Sequence, residues 1–254
     1  MNPLLISLAA AALMVLGAWL GTVLRRSLPR QHLDDQSKDV VRLGSGLIAT
    51  VTALVLGLLI TSAKGTYETQ RSEIKTIAAK LVLLDELLKR YGPEARAARE
   101  MQRVAMGPMI DRIWGQRAIS PPTGGAPYQP SLEGEKVYEA VEALAPQTDV
   151  QRSLKFRALA IVASITEARV LLFEESEAGL PTAILVIVVF WLTILFAGYT
   201  LFTAVNPTSG VILAVIALSA SGAIFLILEL NDPFGGLMQI SPDPLRNALG
   251  VLSS

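Results

Sequence analysis

Residues 42–91 constrain this chain most, because an uncharged stretch of membrane length passes without a break into a charged amphipathic one. Residues 43–63 carry no charge, and roughly 20 such residues in a helix cross about 30 Å of hydrocarbon. From Ile74 the apolar positions recur at Ile77, Leu81, Leu84, Leu88 and Tyr91, with Glu73, Lys75, Lys80, Glu86 and Lys89 between them. Steps of three and four make a stripe that packs in a helical bundle. No proline lies between Pro29 and Pro93, and Gly65 at the junction costs a helix only about 1 kcal/mol relative to alanine. One continuous rod joining membrane and solvent is therefore expected.

Three further apolar blocks complete the pattern. Residues 3–23 are closed by Arg25, Arg26 and Arg30 with no basic residue ahead of them, which predicts a retained span rather than a cleaved signal peptide. Residues 178–228 hold no charge over about 50 positions, the length of two spans, and the cluster Asn206-Pro207-Thr208-Ser209-Gly210 supplies the break. Between the second and third spans, residues 64–177 carry sixteen basic and sixteen acidic residues and read as a charged helical region. The expected fold is all-α: a polytopic membrane protein with four transmembrane helices and a helical stalk or bundle between helices 2 and 3. Its expected parts are residues 1–63 (helices 1 and 2), 64–178 (the bundle), 179–230 (helices 3 and 4) and 231–254 (an interfacial C-terminal segment).

Within the bundle, Gly92-Pro93 punctuates the chain, a helix follows from Glu94 to about Trp114, and Pro108 is expected to kink or end it. Residues 116–130 are rich in proline and glycine and read as an exposed loop. A helix over 132–144 capped by Ser131 comes next. A long helix over 149–177, with Leu154, Ile161, Ile165, Ala168 and Leu172 on one face, can run antiparallel to 74–91. Ser241-Pro242-Asp243-Pro244 starts a last helix whose Leu245, Leu249 and Leu252 can lie on the bundle or on lipid headgroups.

Zero net charge gives no argument for nucleic acid, and the lack of cysteine with a single histidine, His32, removes thiolate catalysis and Cys/His metal sites. No catalytic, cofactor-binding or metal-binding residue is assigned, and no enzyme is expected. In the second span two sets of residues stand out. Gly46, Ala49 and Ala53 form a small-residue pattern suited to close helix packing, and Thr50, Leu54, Gly57, Thr61 and Lys64 form a stripe able to line a pore. The threonines equally suit bonds to their own helix, and Lys64 equally suits an interface anchor.

Leu83-Leu84-Asp85-Glu86, Arg90-Tyr91-Gly92-Pro93-Glu94-Ala95, Gln70-Arg71-Ser72-Glu73-Ile74 and the closing Glu229-Leu230-Asn231-Asp232-Pro233-Phe234-Gly235-Gly236 with Ser241-Pro242 resemble the bacterial bestrophin-like membrane family over nearly the whole chain. The resemblance implies kinship with bestrophins, pentameric anion channels with four membrane helices and a helical cytosolic domain between the second and third. It implies a multi-pass inner-membrane protein with cytoplasmic bundle and termini, a homo-oligomer (a pentamer if like bestrophins) in the lipid bilayer, and small ions as its partners. Basic residues alone leave orientation balanced, with Arg25, Arg26, Arg30, Lys38 and Arg42 on one side and Lys64, Arg71, Lys75, Lys80, Arg169 and Arg246 on the other. Bestrophins narrow their pore with bulky side chains on the second helix, whereas residues 43–63 contain no aromatic, so no neck residue transfers. Nor does an acidic cluster match the animal channels' calcium clasp. Two functional readings remain: an ion channel with the second helix about its axis, or a non-conducting scaffold or sensor whose bundle binds a partner. A pump or enzyme is disfavoured by the absence of ionisable residues inside the spans.

Overall fold

The computed structural model describes residues 2–29, 35–119, 132–177, 182–203 and 206–252. Of the loop expected over 116–130, residues 116–119 are helical, while 120–130 and the Ser131 cap expected for the next helix lie outside the described residues. Among the described residues there are eight α-helices: α1 (Pro3–Ser27), α2 (Asp35–Tyr91), α3 (Arg96–Ile119), α4 (Leu132–Glu142), α5 (Asp149–Glu177), α6 (Thr182–Phe202), α7 (Pro207–Leu230) and α8 (Asp243–Leu252). The protein is all-α, and α1, α2, α6 and α7 are long and apolar enough to cross a membrane. Two compact units result, Met1–Gly65 with Leu180–Asn231, and Thr66–Gly179 with Asp232–Ser254. The 57-residue α2 contributes its uncharged half to the first and its charged half to the second.

In the first unit α1 starts on Asn2, whose side-chain oxygen accepts from the Leu4 amide at 3.1 Å, with Pro3 in the first turn. Arg25 and Arg26 close it, where positive charge complements the helix dipole. α1 packs on both α6 and α7. Its contact with α6 is backbone-close. A Cβ added to Gly17 would lie 2.5 Å from the Thr193 carbonyl oxygen, and one on Gly21 would collide with Thr200 Oγ1 and the Ala197 carbonyl. This Gly-x-x-x-Gly face lets two helices approach without side chains between them. Two hydroxyls then bridge helices: Thr200 Oγ1 donates to the Ala18 carbonyl at 2.8 Å, and Ser221 Oγ to the Ser7 carbonyl at 2.6 Å. The expected break between the last two spans falls at the front of the Asn206–Gly210 cluster, whose remaining residues are already helical. Asn206 stands at the N-cap, Pro207 opens α7, and the Gly210 amide donates to the Asn206 carbonyl, because proline is suited to a first helical turn.

The second unit is an apolar bundle in two layers of contacts. Ile74, Ile77 and Leu81 of α2 pack with Met106, Met109 and Ile110 of α3 and with Ile165 and Leu172 of α5. Farther along α2, Leu84, Leu88 and Tyr91 pack with Ala98, with Val137 and Val141 of α4, and with Ala158 and Val162 of α5. Rising numbers on α2 meet falling numbers on α5, so the two helices run antiparallel. Each fully buried aliphatic side chain here stabilises by about 1.5–3 kcal/mol. Asp85 and Arg99 tie α2 to α3 through two parallel bonds, Nε to Oδ1 at 2.6 Å and Nη2 to Oδ2 at 3.0 Å.

α3 departs from expectation at both ends. A 3₁₀ turn, Pro93–Ala95, precedes it, reached through Gly92 at φ 126°, a backbone conformation that favours glycine. Pro108 does not end the helix, which runs on to Ile119. Pro108 and Val104, whose carbonyl loses its intrahelical partner, are exposed, while Met106, Met109 and Ile110 are held in the core. Burial of these three side chains offsets the lost bond. The C-terminal segment joins this core: Ser241 Oγ accepts from the Asp243 amide at 3.1 Å to start α8, and Leu245, Ala248 and Leu252 are buried in the bundle with Leu249 against it. Ahead of α8, the Trp114 indole donates to the Ile240 carbonyl at 2.8 Å and meets the Phe234 ring edge-on at 5.7 Å.

Candidate functional site

The uncharged half of α2 has two unlike sides. Thr52, Leu59 and Ala63 are buried within the chain, and Ser45 and Val41 reach Gly198 of α6, with Ser45 Oγ 3.3 Å from where a Cβ on that glycine would stand. At roughly 100° per residue these positions fall together on one side. Thr50, Leu54, Gly57, Thr61 and Lys64 fall on the other, and all five are exposed; Leu54 is 75% exposed. The apolar window of α2 is 11% buried, against 22–28% for the other three spans. The chain thus leaves the outward side of this helix largely uncovered.

Of the residues suited to close packing, Gly46 and Ala53 are exposed and Ala49 is half-buried, and nothing lies within 4 Å of a Cβ built on Gly46 or Gly57. They border the exposed stripe and, among the described residues, meet no other helix at those glycines. The close packing inside the chain falls instead to Gly17 and Gly21, which the sequence reading passed over. Their four-residue spacing in an apolar helix was the available signal.

The threonine hydroxyls are committed to their own helix: Thr50 Oγ1 donates to the Gly46 carbonyl at 2.9 Å, Thr61 Oγ1 to the Gly57 carbonyl at 2.9 Å, and Thr52 Oγ1 to the Ile48 carbonyl at 2.7 Å. With its proton used, each exposed hydroxyl offers only lone pairs outward. Along the stripe the one formal charge is at Lys64. Among the described residues no group of three or more His, Cys, Asp or Glu side chains is placed to hold a metal ion.

The model of the bestrophin-like domain matches residues 11–245. The chain belongs to the bestrophin-like family. Three crystal structures of point variants of a bacterial bestrophin homologue from Klebsiella pneumoniae have the same fold. One aligns at TM-score 0.70 and 15% identity over 100% of this chain and 99% of that one. A second aligns at 0.67 and 15% over 97% and 99%. The third aligns at 0.66 and 14% over 96% and 97%. No curated protein matches the sequence of this bestrophin-like chain. With identity this low the likeness is one of architecture, and the bestrophin-like protein's own residues carry any argument about its site.

Proposed function

We propose that this bestrophin-type membrane protein is one subunit of an oligomeric channel for small ions, with α2 around the axis and anions preferred. The observation that carries the reading is the uncovered side of α2, where a charge-free stripe from Thr50 to Thr61 ends at Lys64 while the opposite side packs within the chain. Four thin spans in one subunit cannot enclose an aqueous path, so the path must be closed by symmetry. Gly46, Ala49 and Ala53 beside the stripe are small enough to let neighbouring copies of α2 come close. Five copies, as in bestrophins, would set five Lys64 side chains in a ring, and such a ring draws anions and repels cations. Because Thr50 and Thr61 present only lone pairs, charge preference rests on Lys64 rather than on the hydroxyls. The inner membrane, with the charged bundle on the cytoplasmic side, is the location that fits this reading.

Conductance of the purified protein in planar bilayers tests it. A wild-type current whose reversal potential moves toward cation preference in Lys64→Glu is expected, with the shift shrinking near 1 M salt, where the Debye length is about 3 Å. Thr61→Leu is expected to lower conductance with little change in charge preference. The same reversal potential in wild type and Lys64→Glu would place Lys64 off the pathway as an interface anchor.

A second reading, a non-conducting scaffold whose bundle docks a partner, draws on Val150 and Phe156 of α5, apolar side chains left exposed on the charged bundle. Intact oligomers without any current would favour it.

A further inference from the structure

Besides the apolar side that α5 buries in the core, the helix carries a second one outward. Phe156, Ala160, Ala163 and Leu171 lie at helical spacing and are all exposed, Phe156 by 75% and Leu171 by 48%. Two alanines between two large apolar side chains make a flat strip able to seat another helix. Arg157 and Glu167, also exposed, stand beside it with opposite charges, which suits a protein surface bearing counter-charges and does not suit lipid.

The charged half of α2 presents a matching side. Lys75, Ala79, Leu83 and Glu86 are exposed along it, again three or four residues apart. Among the described residues, none of Lys75, Glu86, Arg157 and Glu167 is in a salt bridge. Two bonds set the levels of the antiparallel pair: Gln151 Nε2 donates to the Tyr91 carbonyl at 3.1 Å, and Lys80 Nζ to the Ser164 carbonyl at 3.4 Å. With an equal rise per residue on both helices, Leu83 is level with Ala160 and Glu86 with Arg157. Lys75 is level with Glu167 to within a turn.

We propose that these two faces meet between copies of the chain, the outward strip of α5 in one subunit seating on the outward side of α2 in the next. The inference rests on the oligomeric reading above. In a ring with α2 and α5 along its axis, rotation to the next copy changes no height, so residues level within one chain are level between neighbours. Leu83 of one copy then enters the strip at Ala160 of the next, Glu86 meets Arg157, and Lys75 meets Glu167. A ring of more than two members needs two different faces that fit, which α5 cannot supply by meeting its own copy. The outward side of α3 fits less well, because Glu100 and Arg103 there already pair with each other. On α2 the exposed positions run from Arg71 and Lys89 to Thr76, an arc of roughly 140° at about 100° per residue. One flank can border an axial path while the other meets the neighbour.

The chain contains no cysteine, so introduced pairs report the contact directly in the full-length protein in detergent. Leu83→Cys combined with Ala160→Cys is expected to give, on oxidation, a ladder of disulfide-linked species up to the full oligomer on a non-reducing gel, and each single variant none. Glu86→Arg or Arg157→Glu alone is expected to raise the concentration at which the oligomer dissociates by about tenfold, and the two together to restore it. Intact oligomers that give no ladder, with neither charge reversal moving the midpoint, overturn this interface and leave the oligomeric reading standing. A ladder from Ala160→Cys with Val104→Cys, and none with Leu83→Cys, would seat α5 on α3 and overturn it too. A wild type that is monomeric at every concentration removes both.

Discussion

The two units of this protein are held together by different means. In the first, α1 and α6 meet at Gly17 and Gly21 with backbone against Thr193 and Ala197, and serine and threonine hydroxyls donate to carbonyls of neighbouring helices. In the second, aliphatic side chains from α2, α3, α5 and α8 fill a shared core. Lipid offers apolar side chains nothing to escape from, so contact there comes from close approach and from polar groups satisfying one another. Water supplies the opposite incentive, and burial of side chains does most of the holding. A single helix, α2, takes part in both regimes and changes its packing chemistry near Gly65.

The largest expected effect sets one glycine against another. Gly21→Leu drives four carbons into the backbone of α6 and is expected to destabilise the first unit by about 3 kcal/mol or more, read as loss of folded protein in SDS titration. Gly46→Leu, with open space at its Cβ, is expected to leave that titration unchanged and to lower only the oligomeric mass. Equal damage from both would mean that close approach is not confined to α1 and α6. In the second unit Ile77→Ala should cost about 2–4 kcal/mol through the cavity it leaves in the core, measured by urea unfolding. Asp85→Asn should cost less, about 1–2 kcal/mol, because it leaves Arg99 without its carboxylate while that side chain remains 29% exposed and can be rehydrated. Smallest is a surface effect of pH. The hydrogen bond from Arg103 holds the Glu100 carboxyl below its ordinary 4.5. The folded state then binds that proton less readily than the unfolded one, so the contribution is present above pH 4.5 and fades as pH falls through the lowered value. Arg103→Gln should flatten that part of the acid limb in a melting-temperature profile, and an unchanged limb would assign the slope to other carboxylates.

Much of this was legible in the residues themselves. The rod of α2 follows from residues 43–63 and the three-and-four stripe from Ile74, both of which depend only on local spacing and charge. The side of α5 that seats on α2 follows from Ile165 and Leu172 sharing one helical face, and its antiparallel direction from the span that each helix adjoins in the sequence. The packing partner of α1 was harder to read, because an apolar helix offers no polar contrast to say which side turns inward, and Gly17 and Gly21 compete with small residues on every other span. That the helix would continue past Pro108 was not legible for the converse reason: its local penalty is real, but Met106, Met109 and Ile110 on the same helix are anchored by residues distant in sequence. The α2 stripe was legible as a pattern, while its exposure depended on where α6 lies against Ser45.

The Trp114 contact has a practical consequence for spectroscopy. Of the three tryptophans, Trp19 belongs to α1 and Trp191 to α6, both in helices of membrane-crossing length, whereas Trp114 donates to Ile240 and rests on Phe234. With Trp19 and Trp191 replaced by phenylalanine, the remaining indole emission becomes a single-site gauge of whether the C-terminal segment is seated. Release of that segment would free the indole N–H to water and shift its emission to the red, without any label added to the chain.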